Sequence, residues 1–175
     1  FPMLADNEVV DTLRSKQLDE LLVSAMRAKS QTPVAYSNVS GKILQKENAA
    51  NNLPMLLQNQ TSLVAFTEGG TAVGNTSLRV RGTDATRINV TLNGMPLNNP
   101  ESQEVYWVNL PDITASLHSI QLQRGVGSST NGAAAFGASL SMTTAGGQPK
   151  AYATASTAVG SYNTFSSNIA AGSGI

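Results

Sequence analysis

Cysteine is absent and histidine occurs once, as His118, so a disulfide framework and a thiolate centre are excluded and a zinc site or His-based triad lacks its usual residues. Charge is scarce too: 13% of the 175 residues are Asp, Glu, Lys or Arg, about half of the roughly 25% usual in soluble domains. Eleven basic residues balance eleven acidic ones and are scattered, which leaves no electrostatic footprint for a nucleic-acid partner. No apolar run reaches the roughly 18 residues of a spanning helix, a test that membrane strands escape because their alternating signal is weaker. What the chain has instead is uncharged polarity, rich in Asn, Ser, Thr, Gly and Ala. Such a composition suits β-structure, long hydrogen-bonded loops and a domain packed inside a polar cavity. It suits a secreted β-rich adhesin equally well.

Three short alternating runs carry the most information: Leu78-Arg79-Val80-Arg81-Gly82, Val90-Thr91-Leu92-Asn93-Gly94-Met95-Pro96 and Ile120-Gln121-Leu122-Gln123-Arg124-Gly125. Each reads as a strand entering or leaving a glycine turn, and together with Ser139 to Thr144 they imply a mixed sheet. Pro33 to Ser40 and Ser62 to Phe66 read as further strands. Asn51 to Gln58 reads as a short helix starting near Asn51 or Asn52, because Pro54 fits only a first turn. Pro111 to Ala115 predicts a helical turn. Thr67 to Thr76 and Leu97 to Asn109 are long irregular segments, the kind that carries function in a compact domain. Beyond Gly146-Gly147-Gln148-Pro149 two alternating runs flank Gly160-Ser161 and predict a hairpin. At the other end, Asp6 to Lys29 is charged and predicts a mobile tail, and Phe1 to Leu4 reads as an apolar patch of that terminus rather than the tail of a signal peptide.

Taken in order, these elements resemble the plug domain of TonB-dependent outer-membrane receptors. The series comprises an acidic-apolar segment (Asp19-Glu20-Leu21-Leu22-Val23-Ser24), helix and strand, Arg-Gly, Asn-Gly-x-Pro, Ile-x-x-x-Arg-Gly, and Phe136-Gly137 before a last strand. Three positions depart from the family pattern: Asn93 stands where Asp is usual, Val126 where Pro follows the glycine, and Phe136 where Tyr precedes it. The resemblance implies an α+β fold, a small mixed-sheet plug with short helices and long loops, followed by the first strands of an incomplete transmembrane β-barrel. It divides the chain into a flexible periplasmic segment (1–30), the plug (31–147) and a first barrel hairpin (148–175). It also implies roles. Asp19 to Ser24 would be the box that pairs with the TonB C-terminal domain by strand addition, its main chain supplying the affinity. Arg81 and Arg124 match arginines that bond carboxylates on the inner barrel wall, work that suits a planar, always-charged fork. The alternative is that they are surface cations on the sheet, or pair with Asp84 or Asp112. Outward loops would touch a small nutrient such as a metal chelate, through Tyr106, Trp107, Asn98, Asn99 and Glu101. Tyr106-Trp107 is open to a second reading, as an anchor of its loop. No cofactor and no resident metal are implied, and the location is the outer membrane of a Gram-negative bacterium.

Two rivals come from other classes. An enzyme would have to rely on carboxylates such as Glu101 and Glu104, which lie in a loop without a recognisable partner; Gly125-Val126-Gly127 lacks the context and third glycine of a dinucleotide fingerprint. A secreted adhesin accounts for the composition and the last hairpin, but not for the ordered motif series, and no internal repeat supports a solenoid.

Overall fold

The computed structural model describes residues 27–47, 51–70, 74–127, 135–146, 150–161 and 163–174. Its centre is a five-stranded mixed sheet in the order β1-β6-β7-β4-β5. The strands are β1 (Ala35–Ser40), β4 (Ile88–Leu92), β5 (Met95–Pro96), β6 (Leu117–Arg124) and β7 (Ala138–Thr144). β4 and β7 run parallel while every other pairing is antiparallel, as a mixed sheet predicts. Two hairpins stand apart from it: β2 (Leu63–Thr67) with β3 (Thr76–Val80), and β8 (Tyr152–Gly160) with β9 (Thr164–Gly172). The first Arg-Gly run therefore belongs to a different sheet from the other two, a separation that alternation alone does not reveal.

Register sorts the sheet's two faces cleanly. Val39, Ile120, Met142 and Leu92 form one cross-strand row, and Leu122, Leu140 and Val90 lie in the next. Period-two alternation places all of them on one face. Against that face pack Leu44 from helix α1 (Gly41–Glu47), Leu53, Leu56 and Leu57 from α2 (Leu53–Leu56) and its cap, Leu63, Leu78 and Val80 from the β2–β3 hairpin, and Trp107. The other face carries Asn38, Gln121, Ser141 and Thr91 in one row and Tyr36, Gln123, Ser139 and Asn89 in the next.

Helix α2 starts where Pro54 dictates: Asn52 caps it in an extended conformation and the proline takes a first-turn position. Helix α1 has no counterpart in the sequence reading. Only Gly41 and Leu44 of its seven residues are buried, too sparse a stripe for helical periodicity to register. The helical turn expected at 111–115 appears as a 3-10 turn at Ile113–Ser116.

Candidate functional site

The two Arg-Gly pairs build one end of the fold. Arg81 and Gly82 occupy the two central positions of a turn with φ of 52° and 78°, closed by the Thr83 N–H donating to Val80 O at 3.0 Å. That is a type I′ turn, so Arg81 sits in the bend rather than on the strand and projects into solvent. Gly125 ends β6, its N–H donating to Gly137 O at 2.8 Å, and the Gly137 N–H donates to Arg87 O at 2.8 Å. Gly137 must be glycine, because a Cβ there would collide with Thr83 Oγ1. These contacts bring Arg81, Arg87 and Arg124 to one edge, with Arg87 over the Phe136 ring at 5.8 Å.

Neither Arg81 nor Arg124 forms an ion pair among the described residues. Arg124 donates to Ser37 Oγ at 3.0 Å. The carboxylates the sequence offered as alternative partners are engaged elsewhere: Asp84 meets Arg87 at 4.0 Å, and Asp112 accepts from Asn168 Nδ2 at 3.4 Å.

The Asn-Gly turn lies at the opposite end of β4. Asn93 and Gly94 have φ of 51° and 84° between the paired Leu92 and Met95, a two-residue hairpin of the type that Asn-Gly favours. Asn93 also grips β7: its N–H donates to Met142 O at 2.9 Å, its Oδ1 accepts from Thr144 N at 3.0 Å, and its Nδ2 donates to Thr144 Oγ1 at 2.9 Å.

The two long segments converge on a cleft of about 180 Å³. Phe66, Glu68 and Asn75 from the β2–β3 hairpin line one side, and Glu104 and Tyr106 the other. Tyr106 is 46% exposed, whereas Trp107 is 3% exposed and packs in the core. The indole anchors its segment in the core and also lines the cleft. The side chains of Asn98 and Asn99 bond within the loop itself. Asn98 Oδ1 accepts from Val90 N at 2.8 Å while its Nδ2 donates to Ile88 O and Gln103 O, each at 2.9 Å. Asn99 Oδ1 accepts from Glu101 N at 2.8 Å and from Ser102 N at 3.2 Å. Glu101 remains exposed. Phe66 and Glu68 are the lining residues the sequence reading did not single out; Glu68 lay inside the Thr67 to Thr76 loop and carried no signal of its own.

The terminal hairpin has two chemically different faces. Pairings Ala153 with Ala171, Ala155 with Ile169 and Val159 with Phe165 place small and apolar side chains together, with the Thr157–Ser167 pair between them. On that face Val159, Phe165 and Ile169 are 82%, 67% and 80% exposed. The alternate face bears Thr154, Ser156, Ser166 and Asn168, and it turns toward Gln45, Lys46, Asp112 and Ala115 across a cavity of about 300 Å³. Asp19, Glu20, Leu21, Leu22, Val23 and Ser24 lie outside the described residues.

The family described as TonB-dependent Receptor Plug Domain matches residues 28–139, well over half of the chain. The chain belongs to that family. Solved structures carry the same fold at low identity. The copper transporter OprC superposes with a TM-score of 0.62 at 16% identity, over 84% of this chain and 23% of its own. The ferric yersiniabactin uptake receptor FyuA from Yersinia pestis gives 0.63 at 16%, over 86% and 24%. FpvA of P. aeruginosa, bound to heterologous pyoverdines, gives 0.66 at 14%, over 82% and 18%. This plug chain thus spans about a quarter or less of the receptors it resembles. Among curated proteins, none matches the sequence. Within the plug, no group of three or more His, Asp or Glu among the described residues is placed to hold a metal ion.

Proposed function

We propose that this chain is the gate of an outer-membrane active transporter: a plug seated inside a β-barrel whose first hairpin is β8–β9. The observation that carries this reading is the hairpin's orientation. A strand of a membrane barrel alternates apolar side chains toward lipid with polar ones toward the lumen. Here the polar face meets the plug through Asn168 and Asp112, and the face holding Val159, Phe165 and Ile169 points away from it. In this reading Arg81 and Arg124 reach carboxylates on the barrel's inner wall, Asp19 to Ser24 pairs with the TonB C-terminal domain, and the barrel lies in the outer membrane. The cleft edged by Glu68, Glu104 and Tyr106, with Glu101 on the adjoining loop, faces a small nutrient such as a metal chelate. Ligand binding acts on the gate to the extent that it favours one of two plug states over the other. The function is passage, not turnover.

The absence of cysteine makes the test direct, since this chain contributes no background thiol. Single Ile169→Cys and Asn168→Cys variants of the full receptor, in lipid vesicles, are labelled with a fluorophore. A lipid-borne quencher is expected to reach position 169 and not 168. Equal quenching at both positions would remove the barrel reading of the hairpin.

A further inference from the structure

The sheet face opposite the core buries amides that demand an explanation. Gln121 and Gln123 are 2% and 1% exposed, and a buried amide is costly unless its donors and acceptor are paired. Gln121 Oε1 accepts the Ala28 N–H at 2.7 Å, and its Nε2 donates to Ala28 O at 3.0 Å and to Asn38 Oδ1 at 2.8 Å. Gln123 Nε2 donates in turn to Gln121 Oε1 at 3.0 Å. A side-chain amide thereby makes with one main-chain residue the N–H and C=O exchange that a neighbouring strand makes at a sheet edge. Arg27 supplies a second hold. Its Nη1 donates to Ser119 Oγ at 2.9 Å, and its Nη2 to the carbonyl oxygens of Ser119 and Ser141, both at 3.2 Å.

We propose that this polar face is a docking site for the chain's own N-terminal segment, with Gln121 as the clamp, and that a pull on Asp19 to Ser24 first loads the plug at Ala28. The second half rests on the proposed function; the docking site does not. Only Ala25 and Met26 separate Ser24 from Arg27, and two residues span at most about 7 Å, which limits the slack that can absorb a pull. The grip is made of hydrogen bonds and buries little apolar surface, Ala28 contributing one methyl group. Arg27 Nε, Ser139 Oγ and Thr143 Oγ1 are buried with no hydrogen-bond partner among the described residues, and burial pushes the Arg27 guanidinium below its usual pKa. Undocking returns the Arg27 guanidinium to water and so offsets part of the bonds lost. The apolar core lies on the other face of the same sheet, so the segment can leave as a local opening without disturbing it.

Hydrogen exchange on the full receptor tests this. Gln121→Leu is expected to speed exchange of the Ala28 amide about tenfold, the effect of losing one or two net hydrogen bonds, while Ile120 and Leu122 keep their protection. An unchanged Ala28 amide overturns the docking site. If that variant fails to fold, Ala28→Pro deletes the clamped N–H without touching β6, and faster tryptic cleavage after Lys29 is expected; wild-type cleavage overturns the clamp. Pulling on the TonB C-terminal domain bound to the full receptor, in single-molecule force spectroscopy, is expected to give a first rupture that Gln121→Leu moves to lower force. A first rupture that the variant leaves unchanged overturns the loading role. Failure of the domain to bind Asp19 to Ser24 sinks the TonB reading and leaves the clamp to be judged by the Gln121→Leu result.

Discussion

Gly125 and Arg81 are in contact across the fold: a Cβ added at Gly125 would lie 3.1 Å from Arg81 Nη1. The two Arg-Gly pairs, 43 positions apart in the chain by their arginines (124 minus 81), are thus one structural unit. Gly125 has φ of 90° and Gly82 has φ of 78°, but nothing lies within 4 Å of a Cβ at Gly82. Gly82→Ala should then cost only the left-handed backbone penalty, about 1–2 kcal/mol. Gly125→Ala should cost about the same, because the Arg81 guanidinium is the free end of an exposed side chain and can give way. Urea midpoints of the two variants compare them, and a markedly larger shift for Gly125→Ala would show that Arg81 is held at that spot.

Charge reversal at Arg81 separates stability from gating. The side chain is exposed and makes no ion pair among the described residues, so Arg81→Glu should change the plug's own stability by less than about 0.5 kcal/mol. On the proposed lock, the same change in the full receptor sets a carboxylate against barrel carboxylates, and plug retention and uptake should both fall. Reversing the facing barrel residue should restore them. Normal uptake by the single variant would rule out the lock.

Tyr106 and Trp107 are neighbours with opposite assignments, and their alanine variants should diverge. Trp107→Ala opens a cavity in the core and should destabilise by about 3–5 kcal/mol, a large share of the roughly 5–15 kcal/mol that holds a typical domain folded. Tyr106→Ala should leave the denaturation midpoint nearly unchanged and weaken ligand affinity in the full receptor. Isothermal titration with the receptor's nutrient decides the second half; unaltered affinity would remove Tyr106 from the ligand surface.

The sequence was most legible where backbone geometry restricts residue choice. Asn93-Gly94 could be read as a hairpin turn because few residues adopt two successive left-handed conformations, and Pro54 located the start of α2 for a similar steric reason. Alternation marked β6 and β7 as strands but could not say that β7 sits centrally and parallel to β4, since pairing partners leave no trace in a strand's own period. Arg81 and Arg124 were named from the motif, yet Arg87 was missed: its place at the same edge depends on the backbone contacts of Gly137, which are long-range. The loop bonds of Asn98 and Asn99 could not be read, because an amide offering bonds to a ligand and one tying down its own loop have the same letter. Trp107 was ambiguous for a comparable reason, as burial is a property of the fold around a residue.

Asn93 stands where the family usually has Asp, and its hydrogen bonds show what that exchange should cost. The Oδ1 acceptor for Thr144 N–H survives in Asn93→Asp. The Nδ2 donor is lost, but the Thr144 hydroxyl can rotate from accepting to donating toward the new carboxylate. Asn93→Asp should therefore shift stability by less than about 0.5 kcal/mol. Asn93→Ala removes both side-chain bonds to β7 and puts a poorly suited residue at φ of 51°, so its cost should reach about 2–3 kcal/mol from the two effects together. Denaturation of the two variants beside Thr144→Val checks the assignment. Thr144→Val keeps the main-chain donor and loses only the hydroxyl, so it should fall between them. A Thr144→Val variant as damaged as Asn93→Ala would mean that the hydroxyl, and not the turn conformation, dominates this end of the sheet.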